Sequence, residues 1–142
     1  MLTVLNGPTI EAGESLSDGI DCSAGQLVRI TMPPEWDGDA SLTFQFSTDG
    51  VMYNDMYGLD GYAVKVDVVA PGSGVIIPES IGRAIAFIKF RSGTAGNPVE
   101  QREQRTFAVA ILTAEEAAAP PARSAAKKKR TFSFKKKKAA RR

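Results

Sequence analysis

Apolar and polar residues alternate with a period of two through much of the first 112 positions, the pattern of strands with one face buried. In Gln26 to Met32 (QLVRITM), Val28, Ile30 and Met32 oppose Leu27, Arg29 and Thr31, and the first set is predicted to face a core. Pro33-Pro34 ends that run, because proline cannot donate to a ladder. Ser41 to Ser47 (SLTFQFS) predicts Leu42, Phe44 and Phe46 inward and Thr43 and Gln45 outward. Thr48-Asp49-Gly50 then offers a turn with glycine available for positive φ. Val51 to Tyr57 (VMYNDMY) is predicted to return as the partner strand.

Farther on, Gly58 to Gly61 (GLDG) is a second turn and Tyr62 to Val69 (YAVKVDVV) a further alternating run. Pro71 to Gly74 breaks the chain before a short apolar strand, Val75 to Ile77. Arg83 to Arg91 (RAIAFIKFR) is partly apolar on both faces, which suits a central strand. After the loop Ser92 to Pro98, Gln104 to Leu112 predicts a last strand with Phe107, Val109 and Ile111 inward. About seven short strands punctuated by Gly and Pro predict an all-β fold. The expected architecture is a two-sheet antiparallel β-sandwich, jelly-roll or immunoglobulin-like, with a small barrel as the alternative. Residues 1–25 are read as an N-terminal arm or edge strand, 26–112 as the sandwich, 113–126 as an Ala/Pro-rich linker and 127–142 as a basic tail.

Charge divides the chain in a way that the net value of +2 conceals. All 16 carboxylates precede Ala122, among only seven Lys and Arg, so the body carries −9. From Arg123 onward there are eleven Lys and Arg and no acid. Such a division marks an interaction tail. Residues 117–142 hold only Phe132 and Phe134 as large apolar side chains, too little burial to offset ordering entropy, and predict a disordered arm. The expected polyanion-binding residues are Lys127, Lys128, Lys129, Arg130, Lys135, Lys136, Lys137, Lys138, Arg141 and Arg142. The partner of such an arm is nucleic acid, an anionic surface or an acidic protein patch. Its 26 residues span roughly 28 Å as a coil.

There is no histidine and one cysteine, Cys22. Histidine is the commonest proton carrier near neutral pH and the commonest metal ligand, so His-based triads and the usual zinc sites are excluded. One cysteine cannot form an intrachain disulfide, and Cys22 is expected to be a small buried apolar group. No cofactor, metal site or catalytic residue is predicted, and the chain is expected not to be an enzyme. The amino-terminal stretch lacks the pattern of a secretion signal, and no run approaches the roughly 18 apolar residues of a membrane span. Glu35-Trp36-Asp37-Gly38-Asp39 sets three carboxylates beside the only tryptophan, without the spacing of a calcium loop; it is expected to be a solvated loop with Trp36 capping the core edge. Trp36, Tyr53, Tyr57 and Tyr62 are the candidate aromatics for a sugar-stacking platform or an oligomer interface.

Leu42 to Gly50 (LTFQFSTDG), followed by Tyr53, and Ile88 to Thr94 (IKFRSGT) resemble a group of small β-sandwich proteins encoded in the structural modules of tailed phages and prophages. Members share L-T-F-Q-x-S-x-D-G with an aromatic shortly after, then I-K-[FL]-R-S-G-T before a polar loop and a closing strand. The resemblance covers about residues 26–112; the tail has no counterpart in it. It implies a non-enzymatic virion component made in the host cytoplasm, such as a capsid decoration or accessory head protein, present in several copies and docked on the major capsid or another virion protein. The alternative expectations are a carbohydrate-binding sandwich using the four aromatics and a DNA-binding accessory protein acting through the tail.

Overall fold

The computed structural model describes residues 1–37, 40–67 and 70–113. The linker beyond Thr113 and the basic tail, with all ten residues expected to bind polyanions and the expected disorder, lie outside the described residues. Among the described residues nine strands and one helical turn follow in order: β1 Leu2–Ile10, β2 Ile20–Asp21, β3 Gly25–Thr31, β4 Leu42–Ser47, β5 Asn54–Asp55, β6 Lys65–Val66, β7 Gly74–Ile76, α1 Glu79–Gly82, β8 Phe87–Ser92 and β9 Arg105–Thr113. They form two antiparallel sheets, β1-β9-β3-β7 and β2-β8-β4-β5, with β6 joining β4 beyond β5. The fold is the expected all-β two-sheet sandwich, and β1 is an edge strand of the first sheet.

The inward residues of the two sheets meet in one core. Ile10, Leu27, Ile30, Phe107, Val109 and Ile111 of the first sheet pack toward Leu42, Phe44, Ile88 and Phe90 of the second. A chain of edge-to-face rings crosses it: Trp36 on Phe107 at 5.6 Å, Phe107 on Phe90 at 4.8 Å and Phe90 on Phe44 at 5.5 Å. Offset perpendicular pairs satisfy the ring quadrupole. Phe107 belongs to β9 and Phe90 to β8, so this contact joins the sheets through their central strands.

Four local expectations are corrected. Leu27 is buried and Val28 is only partly so, the reverse of the simple alternation. The pairing of β3 with β9 shifts register between Leu27 and Arg29, so Val28 is an extra residue in a bulge and Leu27 and Ile30 both point inward. The return strand expected over Val51 to Tyr57 is reduced to Asn54–Asp55. The Asp49 carboxylate captures the N–H groups of Val51 and Met52 at 2.8 and 3.0 Å, which removes those donors from any ladder. In the run from Tyr62 only Lys65–Val66 is a strand among the described residues. The strand expected from Arg83 begins at Phe87, because the N–H groups of Arg83, Ala84 and Ile85 donate to the carbonyls of Glu79, Ile81 and Gly82 in the turns that continue α1. Gly82 lies against β3: a Cβ there would stand 2.2 Å from the Leu27 carbonyl oxygen.

Candidate functional site

Three regions of the sandwich hold the polar and aromatic residues singled out in the sequence. In the first, Asp37 is bound rather than solvated. Its carboxylate accepts from the Arg102 N–H, from the Arg102 guanidinium at 3.1 Å and from Arg105 Nη2 at 2.9 Å. The buried Arg105 also donates through Nε to Gln101 Oε1 at 3.0 Å, and Glu35 stands 3.6 Å from its guanidinium. Gln101, fully buried, accepts from the Asp37 N–H and donates to Ser92 Oγ. Its backbone pairs with Gly13 and Glu14. The cluster therefore ties the loops around residues 13, 37 and 101 to β8 and β9. It is an internal anchor: Asp37 Oδ1 meets the guanidinium groups of Arg102 and Arg105, and Oδ2 accepts from the Arg102 backbone N–H. Asp39 lies outside the described residues.

The donors of Arg102, its backbone N–H above all, hold the Asp37 carboxyl down to about 2 from an ordinary 3.8. A carboxylate whose folded pKa is depressed contributes stability that is present above the unfolded pKa and is lost as pH falls through the folded one. The window is therefore about pH 4 to 2. Asp37→Asn is expected to flatten the fall in the urea midpoint between pH 4 and pH 2, relative to the parent chain. Equal slopes for the two proteins would show that the Asp37 contacts contribute nothing in solution.

In the second region, Arg91 emerges on the outer face of the second sheet and is nevertheless buried. Its Nη1 donates to Asp55 at 2.9 Å and its Nε to Thr43 Oγ1 at 3.4 Å. Thr43 in turn donates to the Gly93 carbonyl at 2.7 Å. That explains why Thr43, expected to face outward to water, is 2% exposed. Cys22 is buried as expected, and desolvation pushes its thiol up to about 11, so it stays neutral near pH 7.

The third region is apolar and open. The turn after β4 is built by Ser47 and Asp49: Ser47 Oγ accepts from the Gly50 N–H at 2.9 Å, and Gly50 takes φ +79°. Beyond it a second turn is closed by Tyr57 bridging to Ala63 and by the Gly58 N–H donating to the Tyr62 carbonyl. Asp60 accepts from the Tyr62 N–H at 3.0 Å and fixes the tip. Tyr57, Leu59 and Tyr62 are exposed on this turn, Leu59 completely. Beside them lies a groove of about 460 Å³, lined by Phe46, Met56, Val64 and Ile81 among others. Large apolar side chains grouped at a projecting turn characterise contact surfaces.

The four candidate aromatics do not form one platform. Trp36 is 8% exposed, donates from its indole N–H to the Ala40 carbonyl at 3.0 Å and packs on Phe107. It has no free face for a sugar ring. Tyr53 is half-buried, with Lys89 Nζ 4.5 Å from its ring centroid and its hydroxyl against Gly19. Tyr57 and Tyr62 share the projecting turn. Leu59 was missed, although an apolar residue between two turn glycines (Gly58 and Gly61) is itself a signal. Ile76, Val51 and Met52 are exposed apolar groups that the expected strands Val75 to Ile77 and Val51 to Tyr57 do not single out.

The fold and these surfaces define a class: an acidic two-sheet β-sandwich with an internal ion-pair anchor and an apolar projecting turn. Comparison of the chain with family models, with curated proteins and with solved structures gives no match. No helix among the described residues is long and apolar enough to cross a membrane.

Proposed function

We propose that this chain is a non-enzymatic structural protein of a phage virion, a capsid decoration or accessory head protein. Its sandwich docks on the particle lattice through the turn carrying Tyr57, Leu59 and Tyr62, and its basic arm supplies attraction to an anionic surface or nucleic acid. The virion assignment rests on the resemblance of Leu42 to Gly50 and Ile88 to Thr94 to phage sandwich proteins. The docking reading rests on the fully exposed Leu59 at the tip of a fixed turn beside an apolar groove. In such a contact the apolar residues supply affinity, and the arm raises the encounter rate and the avidity. A sandwich added across neighbouring capsomers strengthens the shell against internal pressure.

Mass spectrometry of gradient-purified particles from the source culture is expected to find the chain as a stoichiometric component. Leu59→Asp is expected to deplete it from the particles at an unchanged melting temperature, because the fully exposed Leu59 contributes nothing to the buried core. Absence of the chain from purified particles would discard the virion role. Full occupancy by Leu59→Asp would discard the turn as the docking site.

A further inference from the structure

The sandwich has several sheet edges, and they are not alike. β7 offers three residues, and β2, β5 and β6 offer two each. Short edge strands are the ordinary protection against pairing with another chain. β1, the edge of the first sheet, has nine residues. Its second half is covered: the register with β9 shifts between Asn6 and Thr9, and Thr9 is bonded through both its N–H and its carbonyl to Asp18.

The first half has no such protection. Leu2 to Asn6 holds no charge, no proline and no bulge. The Met1 carbonyl accepts from the Thr113 N–H at 2.9 Å. In an antiparallel ladder bonded and non-bonded pairs alternate, so Thr3 and Leu5 bond to β9. The N–H and C=O groups of Leu2, Val4 and Asn6 then point away from the sheet. Among the described residues β9 is the only strand paired with β1, so no second strand lies on that side. The side chains of Leu2 and Val4 are 52 and 53% exposed, opposite Leu112 and Ala110 on β9. The edge is thus bordered by an apolar strip on the outer face of the same sheet.

We infer that Leu2 to Asn6 is the contact surface for a second copy of this chain. The two β1 strands pair antiparallel about a two-fold axis at Val4 and join the four-stranded sheets into one continuous sheet. The edge is complementary to itself: Val4 meets Val4 of the partner copy, and Leu2 meets Asn6, each pair exchanging two backbone hydrogen bonds. No charge is placed opposite a like charge, although the two bodies carry the same sign, and the apolar strips of the copies become contiguous. This inference does not depend on the virion assignment.

The test is sedimentation velocity of the full chain across a concentration series, with three substitutions at Val4. The parent chain is expected to dimerise. Val4→Pro removes an N–H that β9 does not use, and Val4→Lys sets two cations opposite each other. Each is expected to raise the dimer dissociation constant about tenfold or more, with the melting temperature unchanged at dilutions where the chain is monomeric. Val4→Cys is expected to give a disulfide-linked dimer on mild oxidation, since bonded antiparallel pairs hold their Cα atoms about 5.5 Å apart, within disulfide reach. The buried Cys22 does not compete. A parent chain that stays monomeric throughout, a dimer indifferent to both Val4→Pro and Val4→Lys, or no cross-link in Val4→Cys would each overturn the inference. Val4→Lys decides the matter if Val4→Pro does not fold.

Discussion

Phe90→Ala is expected to lower the unfolding free energy by about 3–5 kcal/mol. Phe90 is fully buried on a central strand of one sheet, and its ring meets Phe44 of its own sheet and Phe107 of the other. Truncation removes the transfer free energy of the ring and leaves a cavity where both sheets lean on it. Sheet backbones fixed by their ladders cannot collapse far to fill that space. Phe90→Leu retains most of the volume and is expected to cost about 1–2 kcal/mol. Tyr57→Ala, on the projecting turn, is expected to change stability by no more than about 0.5 kcal/mol. Trp36 is the only tryptophan and belongs to the same chain of rings, so its fluorescence in a urea titration reports the transition directly. An unchanged midpoint for Phe90→Ala would contradict the placement of Phe90 between the sheets.

Removal of residues 123–142 is expected to abolish binding to duplex DNA, used here as a defined polyanion, while leaving the urea midpoint unchanged. The deleted segment carries eleven cations and no acid, and what remains carries −9. The full chain is expected to bind at low salt and to lose about 10³–10⁵ in affinity between 50 and 200 mM, because each neutralised phosphate releases counterions. The aromatic core and the Asp37–Arg105 anchor lie wholly before Thr113, which is why stability should not follow the tail. Undiminished binding by the shortened chain, or binding insensitive to salt, would remove the arm from the proposed function.

The elements legible in the sequence were those whose signals are local. Phe107, Val109 and Ile111 alternate without interruption and are all buried. Ser47 to Gly50 has turn chemistry within four residues, and Gly50 takes the positive φ expected of it, although the connection runs on to Tyr53. The parity of β3 was not legible, because the bulge at Val28 exists only against the register of β9. The length of β5 was misread for a related reason: Val51 and Met52 have strand-like side chains, but the Asp49 carboxylate takes their donors. Among the candidate site residues, Trp36 was placed correctly at the core edge, and its indole is thereby withdrawn from any platform. Arg105 and Asp37 are 68 positions apart, and no spacing rule connects them.

The sequence by itself determined the all-β sandwich, its apolar core strands and the separation of an acidic body from a basic end. Alternation, turn residues and formal charge are properties of neighbours along the chain, so they can be read without coordinates. Only the tertiary structure decided which face of β3 is inward, which charges are consumed in holding loops together, and which strand edge and which turn remain open to a partner. Those outcomes depend on pairing between distant segments: a hydrogen-bond donor or an apolar side chain is available for binding only if no remote part of the same chain has already covered it.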